Sequence, residues 1–291
     1  HGIKNYIKRL LKMSYKIVID SCGELPESWK TDENIESIPL TLTVEGEDII
    51  DDETFDQSAF LKKTAQSPEC PKSSCPSPER YMQAYDCSAE RVYAVTLSSN
   101  LSGSYNSAVL GKNLLLENRP EQKIYVFDSR SASVGETLVA MKIRECEEQG
   151  MAFEQVIETV EAYIDSQNTY FVLENLETLR KNGRLSNLKA FVASALKIKP
   201  VMGSTPEGTI VQLNQARGIN KAMMKMVDYV AQRAKDSEEK VLAISHCNCP
   251  ARAEIVKEAI LQRVSVKDVV ILDTAGVSTM YANDGGVIVV L

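Results

Sequence analysis

Short apolar runs rich in β-branched residues alternate with segments of helical period through the first half of the chain. Tyr15 to Ile19 reads as a buried strand ending at Asp20-Ser21, and Ile38 to Val44 as a second strand. Arg91 to Leu97 reads as a strand running into Ser98-Ser99, and Lys123 to Phe127 as one running into Asp128-Ser129. Val134 to Glu148 is helical in pattern. Phe153, Val156, Ile157, Val160 and Ile164 keep the i, i+3, i+4 spacing of a helix with one apolar face. Strands alternating with helices predict a mainly parallel sheet flanked by helices.

The pattern changes after about Asn168. Tyr170 to Leu173 is strand-like, and Ile198 to Gly203, the turn Thr205 to Gly208 and Thr209 to Leu213 read as a β-hairpin. A helix follows, with Ala222, Met223, Met226, Val227 and Val230 on one face. Val241 to Ser245, Ile255 to Ile260, Val269 to Leu272 and Val287 to Leu291 then read as strand, helix, strand and strand. A hairpin beside helices predicts a mixed sheet. The expected organisation is an α/β protein of two domains, 13–167 with the parallel sheet and 168–291 with the mixed sheet, after a leader at 1–12.

That leader pairs Lys4, Lys8, Arg9 and Lys12 with Ile3, Ile7, Leu10 and Leu11, the pattern of a basic amphipathic helix. No apolar core follows it, so it is not a signal peptide. Met13 resembles a natural start, so residues 1–12 read as vector-derived or upstream sequence, with a peripheral membrane anchor as the alternative. No apolar run approaches the ~18 residues of a membrane span. The net charge of −7 argues against nucleic-acid binding, which needs a basic surface.

The seven cysteines, Cys22, Cys70, Cys75, Cys87, Cys146, Cys247 and Cys249, have no regular spacing and read as reduced thiols of a cytoplasmic protein. Cys247-Asn-Cys249 lacks the second pair that a zinc site wants, so no metal is expected. The Asn100-Leu-Ser102 sequon reads as chance.

Three strand endings, Asp20-Ser21, Ser98-Ser99 and Asp128-Ser129, carry small hydroxyls where open parallel sheets bind ligands. Capping of the following helices is the competing account. The segment Leu97-Ser-Ser-Asn-Leu-Ser-Gly-Ser-Tyr-Asn-Ser-Ala108 leaves a strand, passes a serine-rich turn and enters a helix. Gly103 permits close backbone approach, and the free amides of the helix start would face an anion. Without a P-loop lysine, a carboxylate or a single phosphate fits better than a nucleotide. Ser73-Ser-Cys-Pro-Ser-Pro78 reads as a rigid turn offering further hydroxyls. His246 is the only histidine besides His1 and ends a buried strand, and no G-x-S-x-G elbow accompanies any serine. The acidic run Asp48, Asp51, Asp52 and Glu53 reads as a solvated loop. An anion-binding crevice without catalysts suggests a carrier more than an enzyme, with no catalytic residue and no cofactor.

These residues resemble the DegV family. Ile17-Val-Ile-Asp-Ser21 is similar to its opening strand. Ser73-Ser-Cys-Pro-Ser-Pro78 resembles its Thr-Ser-Gln-Pro-Ser motif, and Leu97-Ser-Ser-Asn-Leu-Ser-Gly-Ser-Tyr105 its Leu-Ser-Ser-x-Leu-Ser-Gly-Thr-Tyr motif. Val126-Phe-Asp-Ser129, Leu176 to Ser186, Ile198-Lys-Pro200 and Arg217 to Ala222 also match, so the resemblance runs from about Lys16 to the end. It implies two α/β domains enclosing a long-chain fatty acid such as palmitate or stearate, with a separate fatty acid kinase as partner. By motif position Ser73 and Ser102 would bond the carboxylate, with Gly103 beside them and Ser21 and Ser99 at the neighbouring strand ends. Arg184 and Arg217 match positions linked with phosphoryl transfer or kinase docking. The family's His-x-Gly-Pro-Gly motif is replaced here by Ser278-Thr-Met-Tyr-Ala-Asn-Asp-Gly-Gly286, leaving Tyr281 or Asn283 as substitutes for its histidine.

The burial of ~15 methylenes at about 0.8 kcal/mol each lets the acyl tail supply affinity, so the head needs only a few neutral donors. The alternatives are an enzyme or phosphotransfer partner acting on an acyl phosphate, or on an acyl ester through Ser102, and a sensor of small anions or phospholipids.

Overall fold

The computed structural model describes residues 2–12, 14–186 and 197–291. Met13 lies outside the described residues. The first sheet has four parallel strands in the order Ile35–Ile38, Tyr15–Asp20, Arg91–Thr96 and Lys123–Asp128. Both of its faces are covered, so its strands are apolar on both sides. Ile17, Ile19, Tyr93, Val95 and Phe127 pack against helices Val134–Glu148 and Phe153–Ser166. Val18, Val92, Ala94 and Val126 face the opposite way, onto helices Pro78–Tyr85 and Ser104–Asn118. Ser77 starts the first of these, accepting the Arg80 N–H at 3.1 Å ahead of Pro78, whose missing N–H costs nothing there.

The second sheet has six strands in the order Ile210–Arg217, Ile198–Ser204, Thr169–Val172, Val287–Val290, Val241–His246 and Asp268–Asp273. Only its last pair is parallel, so the sheet is mixed. Helices Ile219–Arg233 and Pro250–Leu261 bury Met223, Met226, Val230, Val256 and Ile260 against it. The hairpin at 198–217 forms as its sequence predicts.

Its turn reaches across to the parallel sheet. Ser98 Oγ donates to the Gly208 carbonyl at 2.6 Å, Asn100 Nδ2 to the Glu207 carbonyl at 2.7 Å, and Arg130 to the Pro206 carbonyl at 3.1 Å. Gly208 has φ of +83°, and a Cβ there would lie 2.4 Å from Ser98 Oγ, so glycine is required twice over.

A third sheet corrects the sequence reading. Ile38 to Val44 is two strands. Ile35–Ile38 joins the parallel sheet, while Thr41–Val44 forms an antiparallel sheet with Glu47–Ile50 and Lys72–Ser74. Pro39 explains the break, because it has no N–H to continue the ladder. The Leu40 N–H turns instead to Ser21 Oγ, at 2.9 Å.

The acidic run is also more than a solvated loop. Asp51 is buried, and its carboxylate oxygens accept the Gly276 and Val277 N–H groups at 2.8 and 3.0 Å. It thereby caps the helix Gly276–Ala282 from more than two hundred residues away in sequence. Val277 and Met280 of that helix pack on Leu40, Leu42 and Phe60. The Asp51→Ala change strands two buried amides and is expected to cost about 1–3 kcal/mol. Urea denaturation followed by Trp29 fluorescence measures it, and an unchanged midpoint contradicts the assignment.

Residues Gly2–Lys12 form a helix whose first residues are exposed, Ile3 and Tyr6 among them. No helix of the described residues is long and apolar enough to cross a membrane.

Candidate functional site

The carboxyl ends of the parallel sheet, the inner face of the mixed sheet and the helix Gly276–Ala282 enclose a cavity. Its empty volume is about 860 Å³, open solvent at the mouth included. Leu40, Leu97, Leu101, Phe171, Leu173 and Ile210 supply much of its apolar wall.

One group of hydroxyls gathers around Ser73 and Tyr281. Ser73 is held in register opposite Leu42 by the strand Lys72–Ser74, and its Oγ lies 2.9 Å from Tyr281 Oη. The segment read as a rigid turn thus begins as a strand, which fixes where the Ser73 hydroxyl points. Ser102 also lines the cavity. Its Oγ accepts the Ser104 N–H at 3.2 Å and lies 3.1 Å from Ser104 Oγ. Burial raises the Tyr281 pKa, against the pull of Ser73 and Arg184, so the phenol keeps its proton and can donate.

Arg184 lines the cavity beside this group, its guanidinium 5.8 Å from the Tyr281 ring centre and its Nε donating to the Leu101 carbonyl at 3.1 Å. Ser73, Ser102, Tyr281 and Arg184 therefore come together from four distant stretches of chain. A carboxylate placed among them would meet neutral donors and one cation, which favours its ionised form.

The other candidates sit elsewhere. Ser21 Oγ is committed to the Leu40 N–H. Ser99 is exposed and binds Asp128 through both its N–H, at 3.1 Å, and its Oγ, at 2.5 Å. Gly103 precedes the helix Ser104–Asn118, where a Cβ would lie 3.0 Å from Cys75 Sγ. Arg217 is exposed at the end of its strand, paired in register with Ile198. Asn283 Nδ2 bonds Asn175 Oδ1 at 3.4 Å, whereas Tyr281 faces the cavity. The strand-end polar groups mostly satisfy one another, and the cavity is lined by residues just beyond them: Cys22, Ser131, Ala132 and Ser133.

His246 is buried and accepts the Cys249 N–H on Nδ1 at 3.0 Å, a structural bond of the kind its strand-end place suggests. Cys247 and Cys249 are free thiols, and no group of His, Cys, Asp and Glu among the described residues is arranged to hold a metal ion.

Sequence reasoning passed over a group of buried acids against the cavity wall. Asp20, Glu24 and Glu136 are all buried. Asp20 accepts the Leu97 N–H at 2.7 Å and the Cys22 N–H at 3.1 Å. Glu24 accepts Ser133 Oγ at 2.6 Å and the Ala275 N–H at 3.3 Å, linking the two sheets' ends. Burial pushes Asp20 up to about 6 and Glu24 up to about 7. Glu136, buried and facing the Asp20 and Glu24 charges, is raised well above the ordinary carboxyl range. Acids scattered at positions 20, 24 and 136 give no sequence pattern that announces such a cluster.

Known proteins share this architecture. The profile of the family described as "Uncharacterised protein, DegV family" matches residues 14–291. A DegV domain-containing protein of Streptococcus pneumoniae is 34% identical over 281 residues, covering 95% of this chain and 98% of the relative. A crystal structure of a DegV family protein from Ruminococcus gnavus, refined with vaccenic acid, is 56% identical with a TM-score of 0.94, covering 96% of this chain and 99% of that one. The Streptococcus pneumoniae fatty acid kinase B3 protein, loaded with linoleic acid, is 32% identical with a TM-score of 0.87, over 96% and 99% of the two chains. With the family profile spanning nearly its whole length, this chain belongs to the DegV family.

Proposed function

We propose that this protein carries one long-chain fatty acid, such as palmitate or stearate, in the cytoplasm. The units 13–167 and 168–291 close over the acyl chain, and the carboxylate rests on Ser73, Ser102 and Tyr281. One observation carries this reading: a cavity with a largely apolar wall, on which Ser73, Ser102 and Tyr281 gather their hydroxyls. Tyr281, in the segment where the resemblance leads one to expect a histidine, serves as a neutral donor beside Ser73. The bound vaccenic and linoleic acids of the similar structures support the same ligand class.

The likeness to a fatty acid kinase B3 protein favours presentation of the bound acid to such a kinase. Arg184, the cation at the head end, is then placed to meet a phosphoryl group, and Arg217 to meet the partner. Native mass spectrometry of the purified protein tests the carrier reading. The expected result is a mass excess of one fatty acid, or its appearance when palmitate is added. A protein that neither retains nor takes up an acid refutes the reading.

A further inference from the structure

Among the described residues, Ser133 is the only serine with a positive φ. The strand Lys123–Asp128 ends, the chain turns, and the helix Val134–Glu148 begins directly after Ser133. At that junction Ser133 has φ 56° and ψ −128°, a strained region for a residue with a Cβ. Such strain gathers at functional positions. The side chain is fully buried yet contributes to the cavity wall. Its Oγ donates to Glu24 Oε2 at 2.6 Å and lies 2.7 Å from Ser245 Oγ.

The residues two before and two after it, Ser131 and Gly135, are both small. A Cβ on Gly135 would lie 1.9 Å from Ser131 Oγ, so the turn admits only glycine there. A serine on a strained strand-to-helix turn, with small residues two places to either side, is how α/β hydrolases present their nucleophile. Ser131-Ala-Ser133-Val-Gly135 departs from G-x-S-x-G at its first position alone. The Val134 N–H, the amide that follows the serine, occupies the place of an oxyanion donor.

We propose that Ser133 and Glu24 form a nucleophile and general-base pair that cleaves long-chain acyl esters or thioesters held in the cavity. The proposal rests on the cavity being an acyl site. In the first step Ser133 Oγ bonds to the acyl carbon while its proton passes to Glu24. Glu24 returns that proton to the leaving oxygen or sulfur, which departs as alcohol or thiol. Water then adds to the acyl-serine carbon and gives a proton to Glu24. The bond to Ser133 Oγ breaks, the oxygen regains the proton, and the free fatty acid remains. Glu24 suits the task, since burial brings it to about 7, near the working pH of a general base.

The test uses the full chain with p-nitrophenyl palmitate as substrate and, separately, an alkyl fluorophosphonate followed by peptide mass spectrometry. The expected result is release of p-nitrophenol and a phosphonate adduct on Ser133. Ser133→Ala should lower turnover about 1000-fold or more and abolish the adduct. Glu24→Gln should lower turnover about 100-fold or more. Wild-type protein that binds palmitate but gains no adduct on Ser133 overturns the cleavage alone, whatever the variants do. Wild-type protein that binds no palmitate overturns the carrier reading and the cleavage with it.

Discussion

Raising the pH from 5.5 to 8 is expected to lower the melting temperature of this protein by about 5–10 °C. The cause is the acid group at the cavity wall. Burial, the largest influence on each of its members, raises Asp20 to about 6 and Glu24 to about 7, and raises Glu136 well above the ordinary carboxyl range. In the unfolded chain all three return to the ordinary carboxyl range near ~4. Between those limits the folded protein binds more protons than the unfolded one, so stability falls as pH rises. The Asp20 and Glu24 contributions are complete below about pH 4 and are lost as pH rises through about 6 and about 7. For Asp20 or Glu24 alone the loss is about 3 kcal/mol, and because the acids interact they titrate as a set.

Asp51 adds its charge to Asp20, and Cys22 faces the same group. His246, whose pKa is lowered by burial, acts in the opposite direction, gaining stability as pH rises through its titration. The measurement is therefore a comparison of melting curves from pH 5 to 8 for the wild type and Glu24→Gln. The amide cannot ionise, so the variant's stability should depend less steeply on pH, even if one of the two hydrogen bonds to position 24 is lost. Parallel curves would refute the role given to Glu24.

Removing both head-end serines is expected to weaken fatty acid binding on the order of a hundredfold. Each hydroxyl that bonds a carboxylate in a shielded site contributes about 1–3 kcal/mol, so the Ser73→Ala, Ser102→Ala double variant loses roughly 3 kcal/mol or more. The tail still supplies its hydrophobic share, so binding weakens without vanishing. Neither side chain is fully buried, and the changes leave the melting temperature of the empty protein close to that of the wild type. Titration of palmitate against both proteins reads the effect. Equal dissociation constants would place the carboxylate elsewhere in the cavity, with the far hydroxyls of Ser131 and Thr169, 2.6 Å apart, as the next place to look.

Much of this protein is written locally in its sequence. The run Lys16-Ile-Val-Ile19 forms a strand buried on both faces because every second residue meets one helical layer and the rest meet the other. The spacing of Val156, Val160 and Ile164 makes a helix wherever that face has a sheet to cover. The hairpin at 198–217 follows from its turn residues, and the motifs around Ser73 and Ser102 carry the family and hence the fold. These features depend on neighbours within a few residues, which is the range over which a sequence pattern speaks.

The tertiary structure decided what those features meet. Pro39 ends one strand, but only the packing shows that the next strand leaves for a separate sheet, carrying Ser73 to Tyr281. Asp51 has the look of a surface acid until the Gly276 and Val277 amides arrive from the far end of the chain. Ser21 and Ser99 share their strand-end position with true cavity residues, yet the Ser21 hydroxyl is taken up by the Leu40 N–H and Asp51, and the Ser99 hydroxyl by Asp128. Glu24 and Ser133 are 109 residues apart and meet at 2.6 Å. Hydrogen bonds and charges act through space within a few ångströms. The partner of a polar side chain is therefore set by which distant segments the fold brings together, while its strand or helix is set by the residues beside it.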